Sequence, residues 1–305
     1  MVENMEKVII GKREVIVMLL TSLLAEGHVL IEDVPGVGKT TLAKALAKTI
    51  ACGFTRIQFT PDTLPSDITG LTVYNMKNGV FEFVKGSIMN NIILADEINR
   101  TSPKTQSSLL EAMQEHQVTV DGTTYPLKKP FLVMATQNPI DHMGTYNLPE
   151  AQMDRFMMKL SMGYPSYDDE IQLTKEYLAG DSLFDIKSVV TAEMIEEMQQ
   201  QVKQVFVHPD LISYLMEIIT KTRKTLKLSL GASPRATLMM LRASQAYAFI
   251  HGRDFVIPED MIQLLPYVLP HRFLVSSESR TRNIKAPQIL ADIIKETVVP
   301  VLPEK

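Results

Sequence analysis

Between the apolar run His28-Val29-Leu30-Ile31 and the helical pattern Leu42 to Ala47 lies Val34-Pro35-Gly36-Val37-Gly38-Lys39-Thr40-Thr41. A buried strand, a glycine-rich turn and a helix N-terminus in that order form a unit that can cradle phosphates. Gly36 and Gly38 let backbone N–H groups close around phosphate oxygens. Lys39 reaches the β- and γ-phosphates, and Thr40 offers a hydroxyl to Mg²⁺. The general pattern opens with a glycine where this chain has Asp33, but every residue that makes the close contacts is kept.

At 305 residues the chain is long enough for two domains. A hydrophobic share of 45% with 22% charged residues fits a globular protein in water. The net charge of -4 supplies no basic footprint for nucleic acid or anionic lipid. The single cysteine, Cys52, excludes an internal disulfide and is most simply a small apolar residue at a helix end. Residues Met1 to Glu6 lack the basic start and apolar core of a signal peptide, and Val15 to Ala25 is too short to span a bilayer. The expected location is the cytoplasm.

Up to about Gly163, strand-like and helix-like segments alternate, which predicts an α/β fold with a mainly parallel sheet and flanking helices. Beyond Tyr164-Pro165-Ser166 strand signals nearly vanish. Helices are expected at Asp168–Leu178, Ala192–Val205, Pro209–Thr225, Pro234–His251 and Pro258–Leu265, with proline repeatedly at or near the start. The expected division is therefore 1–163 for a nucleotide-binding domain and 164–305 for a smaller all-α domain. Two hairpins interrupt the alternation. In Leu71–Val84, Asn78-Gly79 suits a two-residue turn that sets Met76 opposite Phe81 and Tyr74 opposite Phe83. In Gln117–Tyr125, Asp121-Gly122 sets Val120 opposite Thr123 and Val118 opposite Tyr125. The aromatic face of the first hairpin is expected to pack on the body for the most part.

Ile92 to Ala95 reads as a strand that ends in Asp96-Glu97. Asp96 is then placed to hold the metal through a bound water beside Thr40, and Glu97 to polarise the water that attacks the γ-phosphate. A second apolar strand, Phe131 to Thr136, delivers Asn138 toward the same phosphate. Arg155, in Asp154-Arg155-Phe156, and Arg235, in Ser233-Pro234-Arg235, are candidates to stabilise charge developing in phosphoryl transfer.

These segments, EDVPGVGKTTLAKALA (Glu32–Ala47), ILADEINR (Ile93–Arg100), ATQNP (Ala135–Pro139), MDRF (Met153–Phe156) and GASPRA (Gly231–Ala236), together resemble an AAA+ ATPase of the MoxR family, in the helix-2-insert clade. The resemblance covers essentially the whole chain, and the Asp33 departure is frequent in MoxR-like sequences. It implies a P-loop AAA+ sheet followed by a helical lid. Gly36, Val37, Gly38, Lys39, Thr40 and Thr41 then correspond to the Walker A segment, and Asp96 and Glu97 to Walker B. Asn138 corresponds to the first sensor, Arg155 to the arginine finger, and Arg235 to the second sensor. Ile9 and Ile10, in Val8-Ile9-Ile10-Gly11, line the adenine. The cofactors implied are ATP and Mg²⁺. The implied partners are other copies of the chain in a ring, often a hexamer, a von Willebrand factor A-domain protein, and a client protein or metalloenzyme.

Whether Arg155 and Arg235 act within their own chain or across a subunit interface is open from the sequence. A metal-chelatase motor would carry longer insertions in the nucleotide domain. A nucleic-acid motor predicts basic hairpin tips, whereas Asp121-Gly122 is acidic and Lys77 alone flanks the first tip. A nucleotide-gated binding module with little turnover would not need the full set of acids and sensors. The six histidines, His142 among them, show no metal-ligand spacing. His271-Arg272-Phe273 is expected to make structural or interface contacts and no chemistry.

Overall fold

The computed structural model describes residues 1–138, 146–180 and 186–301, which leaves Pro139 of the ATQNP segment and His142 outside the described residues. In chain order the helices are α1 Val2–Glu6, α2 Arg13–Leu24, α3 Lys39–Thr49, α4 Pro65–Thr69, α5 Pro103–Glu115, α6 Glu150–Met153, α7 Tyr167–Ala179, α8 Ala192–Val202, α9 Pro209–Lys224, α10 Pro234–Ile250, α11 Pro258–Val268, α12 Ser277–Thr281 and α13 Ala286–Lys295. The strands are β1 Val29–Glu32, β2 Phe54–Gln58, β3 Gly70–Asn75, β4 Val80–Lys85, β5 Ile92–Asp96, β6 Gln117–Val120, β7 Thr123–Pro126, β8 Leu132–Gln137, β9 Met158–Leu160, β10 Leu228–Leu230 and β11 Leu274–Val275. Among the described residues no helix is long and apolar enough to cross a membrane.

The chain forms two compact units, and each is discontinuous: residues 1–19, 28–148 and 160–196 make the first, and 20–27, 149–159 and 197–305 the second. The sequence predicts a single cut after residue 163. Segment 164–196 instead joins the first unit, held by Lys12 Nζ donating to Tyr164 O (2.8 Å), Asn4 Nδ2 donating to Lys187 O (3.0 Å) and Val189 N–H donating to Thr49 O (3.0 Å). Segments 20–27 and 149–159 join the second through Gln199 Nε2 to Leu23 O (2.8 Å) and the Arg272–Asp154 ion pair (2.9 Å).

In the first unit the sheet order is β2-β5-β8-β1-β9, with β2–β5, β5–β8 and β8–β1 all parallel. The central strands are unbroken apolar runs, as sheets covered on both faces require. Val29 to Ile31, Ile92 to Ala95 and Leu132 to Ala135 are all fully buried. Helix α3 turns Leu42, Ala43 and Leu46 inward and packs against β5 and β2.

His28, at the entrance to β1, is buried as well. Its Nδ1 accepts the Val133 N–H (3.1 Å), so Nε2 carries the proton donated to Met113 O (3.0 Å). Burial pushes its pKa down to about 4, with the charge of His116 a smaller influence in the same direction. The unfolded chain takes up this proton from about pH 6.5 downward, the folded chain only near 4. The stabilisation is therefore complete above pH 6.5 and is lost as pH falls toward 4, up to about 3 kcal/mol. Urea unfolding at pH 7 and pH 4.5 measures this share, and His28→Asn is expected to remove it; an equal pH dependence in both proteins would contradict it.

Both hairpins form, but the first has a different register. Tyr74 pairs with Phe81, Asn75 with Val80 and Thr72 with Phe83, so the connection is Met76-Lys77-Asn78-Gly79 and not a two-residue turn. Asn75 is the reason. Its Oδ1 accepts the Lys77 N–H (2.9 Å), its carbonyl accepts the Gly79 N–H (2.9 Å), and Gly79 supplies the left-handed residue at φ 68°. Phe83 stacks on Tyr125 of the second hairpin at 3.9 Å. The rest of the face does not pack as expected: Met76 is 90% exposed and Phe81 72%. The second hairpin has the expected register.

The second unit is mostly helical. Ser233 caps α10 by accepting the Ala236 N–H (3.1 Å), and proline stands in the first turn of α9, α10 and α11. Helix α9 buries Leu211, Leu215, Ile218, Ile219 and Thr222, one face of a 3.6-residue repeat. A short β10–β11 pair lies in the region where strand signals nearly vanish.

Candidate active site

The strand order places the ends of β1, β8 and β5 side by side, and ligands bind outside the carboxyl ends of strands in such sheets. A cleft of about 360 Å³ opens there, lined by Pro35, Gly36, Gly38, Lys39, Thr40, Arg56, Gln58, Asp96, Glu97 and Asn138. The P-loop side chains, both acids and Asn138, which come from three separate segments of sequence, thus share one cavity.

Gly36 and Gly38 hold φ values of 87° and 93°, and a Cβ at either would meet nothing closer than Met162 Cε at 3.7 Å from Gly38. Backbone conformation, and not lack of space, demands glycine here. The turn leads straight into Lys39 at the start of α3, whose first N–H groups face the loop. Lys39 Nζ donates to Asp33 O (2.9 Å). Asp33 itself is only 7% exposed, and its carboxylate accepts from Ser161 Oγ (2.8 Å), Met162 N (2.5 Å) and Gly163 N (3.1 Å). The residue that departs from the general pattern therefore ties the root of the loop to the segment after β9.

Asp96 and Glu97 leave β5 under firm control. Asp96 Oδ1 accepts from Thr136 Oγ1 (2.5 Å), and Oδ2 accepts from Arg56 Nε (3.1 Å) and Nη2 (2.7 Å). Glu97 has φ 58°, an unfavourable region for a side chain that costs about 1 kcal/mol. Its N–H donates to Thr136 Oγ1 (2.9 Å) while Oε2 accepts from Gln58 Nε2 (2.9 Å) and Arg100 Nη1 (3.1 Å). Thr40 and Asp96 are oxygen donors on one cleft, a set that suits a hard cation such as Mg²⁺, which binds through one or two carboxylates and phosphate oxygens.

Arg56, Gln58, Arg100 and Thr136 were not singled out from the sequence. The signal available was position: Gln58 ends β2 beside the end of β5, with Gln58 paired to Asp96 in register. Of the other expected residues, Val37 and Thr41 lie within the same loop and helix start. Ile9 and Ile10 are buried in the first unit and are not among the cleft's lining residues.

Arg155 and Arg235 both belong to the second unit. Arg155 follows Asp154, whose carboxylate accepts the Ser233 hydroxyl (2.9 Å) at the N-terminus of the helix that carries Arg235. Arg272 completes the cluster. It is 3% exposed, and Nε donates to Asp154 Oδ1 (2.9 Å), Nη2 to Phe156 O (2.5 Å) and Nη1 to Met157 O (3.3 Å) and to Val268 O. Burial pulls its pKa down to about 10, opposed by Asp154 and assisted by the positive charge of nearby Arg235. Burial and Arg272 together hold the His271 pKa well below its usual value, so the ring is neutral and its Nε2 can accept from Arg272 Nη1 (2.7 Å).

Comparison with known proteins bears on this arrangement directly. Residues 28–158 match the model of an ATPase family associated with various cellular activities (AAA), and residues 220–296 match an AAA lid domain. Chaperone MoxR1 of Mycobacterium tuberculosis is 40% identical over 97% of this chain and 80% of its own length. The chain belongs to the MoxR family of AAA+ ATPases. The protein YeaC of Bacillus subtilis is 50% identical over 98% of this chain and 94% of its own length. The crystal structure of a candidate ATPase from Cytophaga hutchinsonii superposes with a TM-score of 0.92 at 39% identity, covering 98% of this chain and 93% of that one. In MoxR terms, the matched AAA segment runs from the start of β1 past Arg155, and the matched lid segment contains Arg235 and Arg272. Nucleotide binding accompanies membership of this ATPase family.

Proposed function

We propose that this MoxR-family chain hydrolyses ATP with Mg²⁺ in an oligomeric ring, a hexamer in its simplest form, and uses the cycle to remodel or mature a protein partner in the cytoplasm. The observation that carries the reading is the single cleft shared by Lys39, Thr40, Asp96, Glu97 and Asn138. In it the N–H groups of the Gly36–Thr41 turn bind the phosphates, Lys39 contacts the β- and γ-oxygens, and Thr40 and Asp96 hold the cation. Mg²⁺, when bound, neutralises phosphate charge. Glu97 takes the position of the base that orients and deprotonates the attacking water, with Gln58 and Arg100 setting its carboxylate. Asn138 contacts the γ-phosphate and the same water.

Arg155 and Arg235 meet charge that develops on the transferred phosphoryl group. Their membership of one compact unit separate from the P-loop unit supports delivery of both together. The relative named Chaperone MoxR1 supports the remodelling role, and the exposed Met76, Tyr74 and Phe81 supply an apolar surface for a client or a von Willebrand factor A-domain partner. Mixing subunits tests the arginines. Glu97→Gln chains retain the arginines, and Arg155→Ala or Arg235→Ala chains retain the base. Activity is expected to reappear in mixtures for an arginine that serves a neighbour's nucleotide. No recovery with either arginine variant contradicts action between subunits.

A further inference from the structure

We propose that Arg272 is a positioning residue for the reaction: a buried clasp that fixes the Asp154-Arg155-Phe156 turn against the start of α10, so that Arg155 and Arg235 are presented as one rigid pair. It rests on the reading in which Arg155 and Arg235 face the nucleotide. The chemistry of the clasp is specific to a guanidinium. All three nitrogens of Arg272 donate: Nε to the Asp154 carboxylate (2.9 Å), Nη2 to Phe156 O (2.5 Å) and Met239 Sδ (2.8 Å), and Nη1 to Met157 O (3.3 Å) and Val268 O, with His271 Nε2 also 2.7 Å from Nη1. The carbonyls of Phe156 and Met157 directly follow Arg155, and the Asp154 carboxylate directly precedes it, so the guanidinium grips the backbone on both sides of that residue.

The far side of the clasp is the lid. Asp154 accepts the Ser233 hydroxyl at both carboxylate oxygens (2.9 Å each), and the same hydroxyl accepts the Ala236 N–H (3.1 Å) that caps α10. Arg235 is the second residue of that helix. A planar, always-charged fork is needed to reach carboxylate and carbonyls together, which a lysine ammonium cannot do. Breaking one side of such a buried pair leaves the other charge without a partner, so the turn is held only while both remain. The length of this link in sequence, from 154 to 272, hides it from any local motif.

The test uses the full chain and separates the clasp from the catalytic reading. Hydrogen exchange is followed in Arg272→Lys for peptides covering 150–158 and 33–41, alongside kcat and KM for ATP. Exchange in 150–158 is expected to rise about tenfold or more with 33–41 unchanged. kcat is expected to fall at least as far as in Arg155→Ala, about tenfold or more, with KM within about twofold. Adding Arg272→Lys to the Arg155→Ala/Arg235→Ala double variant is expected to slow it no further, since the clasp acts only through those two arginines. Unchanged exchange, an unchanged kcat in Arg272→Lys while Arg155→Ala is slow, or a further loss when Arg272→Lys is added to Arg155→Ala/Arg235→Ala would overturn the proposal. If Arg272→Lys does not fold, Asp154→Asn breaks the same link from the acid side and carries the same expectations. If Arg155→Ala and Arg235→Ala both turn over like the wild type, the catalytic reading of the arginines fails, and exchange alone then upholds or overturns the clasp.

Discussion

Glu97→Gln is expected to lower kcat for ATP hydrolysis by a factor of about 10² to 10⁴, the usual contribution of a positioned general base. The amide is nearly the same size and keeps one acceptor for Gln58 Nε2 or Arg100 Nη1, which now hold Oε2 at 2.9 and 3.1 Å. The backbone that aims the side chain is unaffected, because the Glu97 N–H bond to Thr136 Oγ1 does not involve the carboxylate. What is lost is the ability to accept a proton. Nucleotide affinity is therefore expected to stay within about threefold, since the proposed phosphate contacts belong to the Gly36–Thr41 turn and not to this residue. Phosphate release and equilibrium binding of a fluorescent nucleotide measure the two quantities. A variant that hydrolyses at a third or more of the wild-type rate would remove Glu97 from the mechanism.

The second large effect is on the P-loop's foundation. Asp33→Ala removes a buried carboxylate that accepts from Ser161 Oγ, Met162 N and Gly163 N. Two backbone N–H groups would be left without partners, each costing about 1–3 kcal/mol. A loss of about 3 kcal/mol in unfolding free energy is expected, together with weaker nucleotide binding. The coupling arises because Asp33 also carries the carbonyl that Lys39 Nζ reaches at 2.9 Å. Asp33→Gly restores the residue of the general P-loop pattern, which makes it the sharper variant. If only the loop's glycine pattern matters, Asp33→Gly would be as stable as the wild type; if the carboxylate anchors residues 161–163, it would be about as destabilised as Asp33→Ala.

The features readable in advance were those coded locally. The P-loop, the acid-ended strand β5 and the proline-started helices α9, α10 and α11 all follow from residues adjacent in sequence. Strand β2 has no such local mark: within Phe54–Gln58 only Ile57 is buried, so it lacks the apolar run of β1, β5 and β8. The same strand carries Arg56 and Gln58, the side chains that hold the two acids. The register of the first hairpin differs from the expected one because Asn75, and not Asn78-Gly79 alone, organises the turn. The two compact units are discontinuous in sequence for a physical reason too. Buried polar bonds such as Arg272 to Asp154 link residues more than a hundred positions apart, and periodicity carries no trace of them.

The proposed function has the chain hydrolyse ATP as an oligomeric ring, so turnover is expected to depend on assembly. Steady-state ATPase activity measured across protein concentration, with Glu97→Gln as the control, tests it most directly. Specific activity that rises with concentration as the chain assembles, with the control inactive throughout, is the predicted result. Specific activity that stays constant down to concentrations where the chain is monomeric would contradict it.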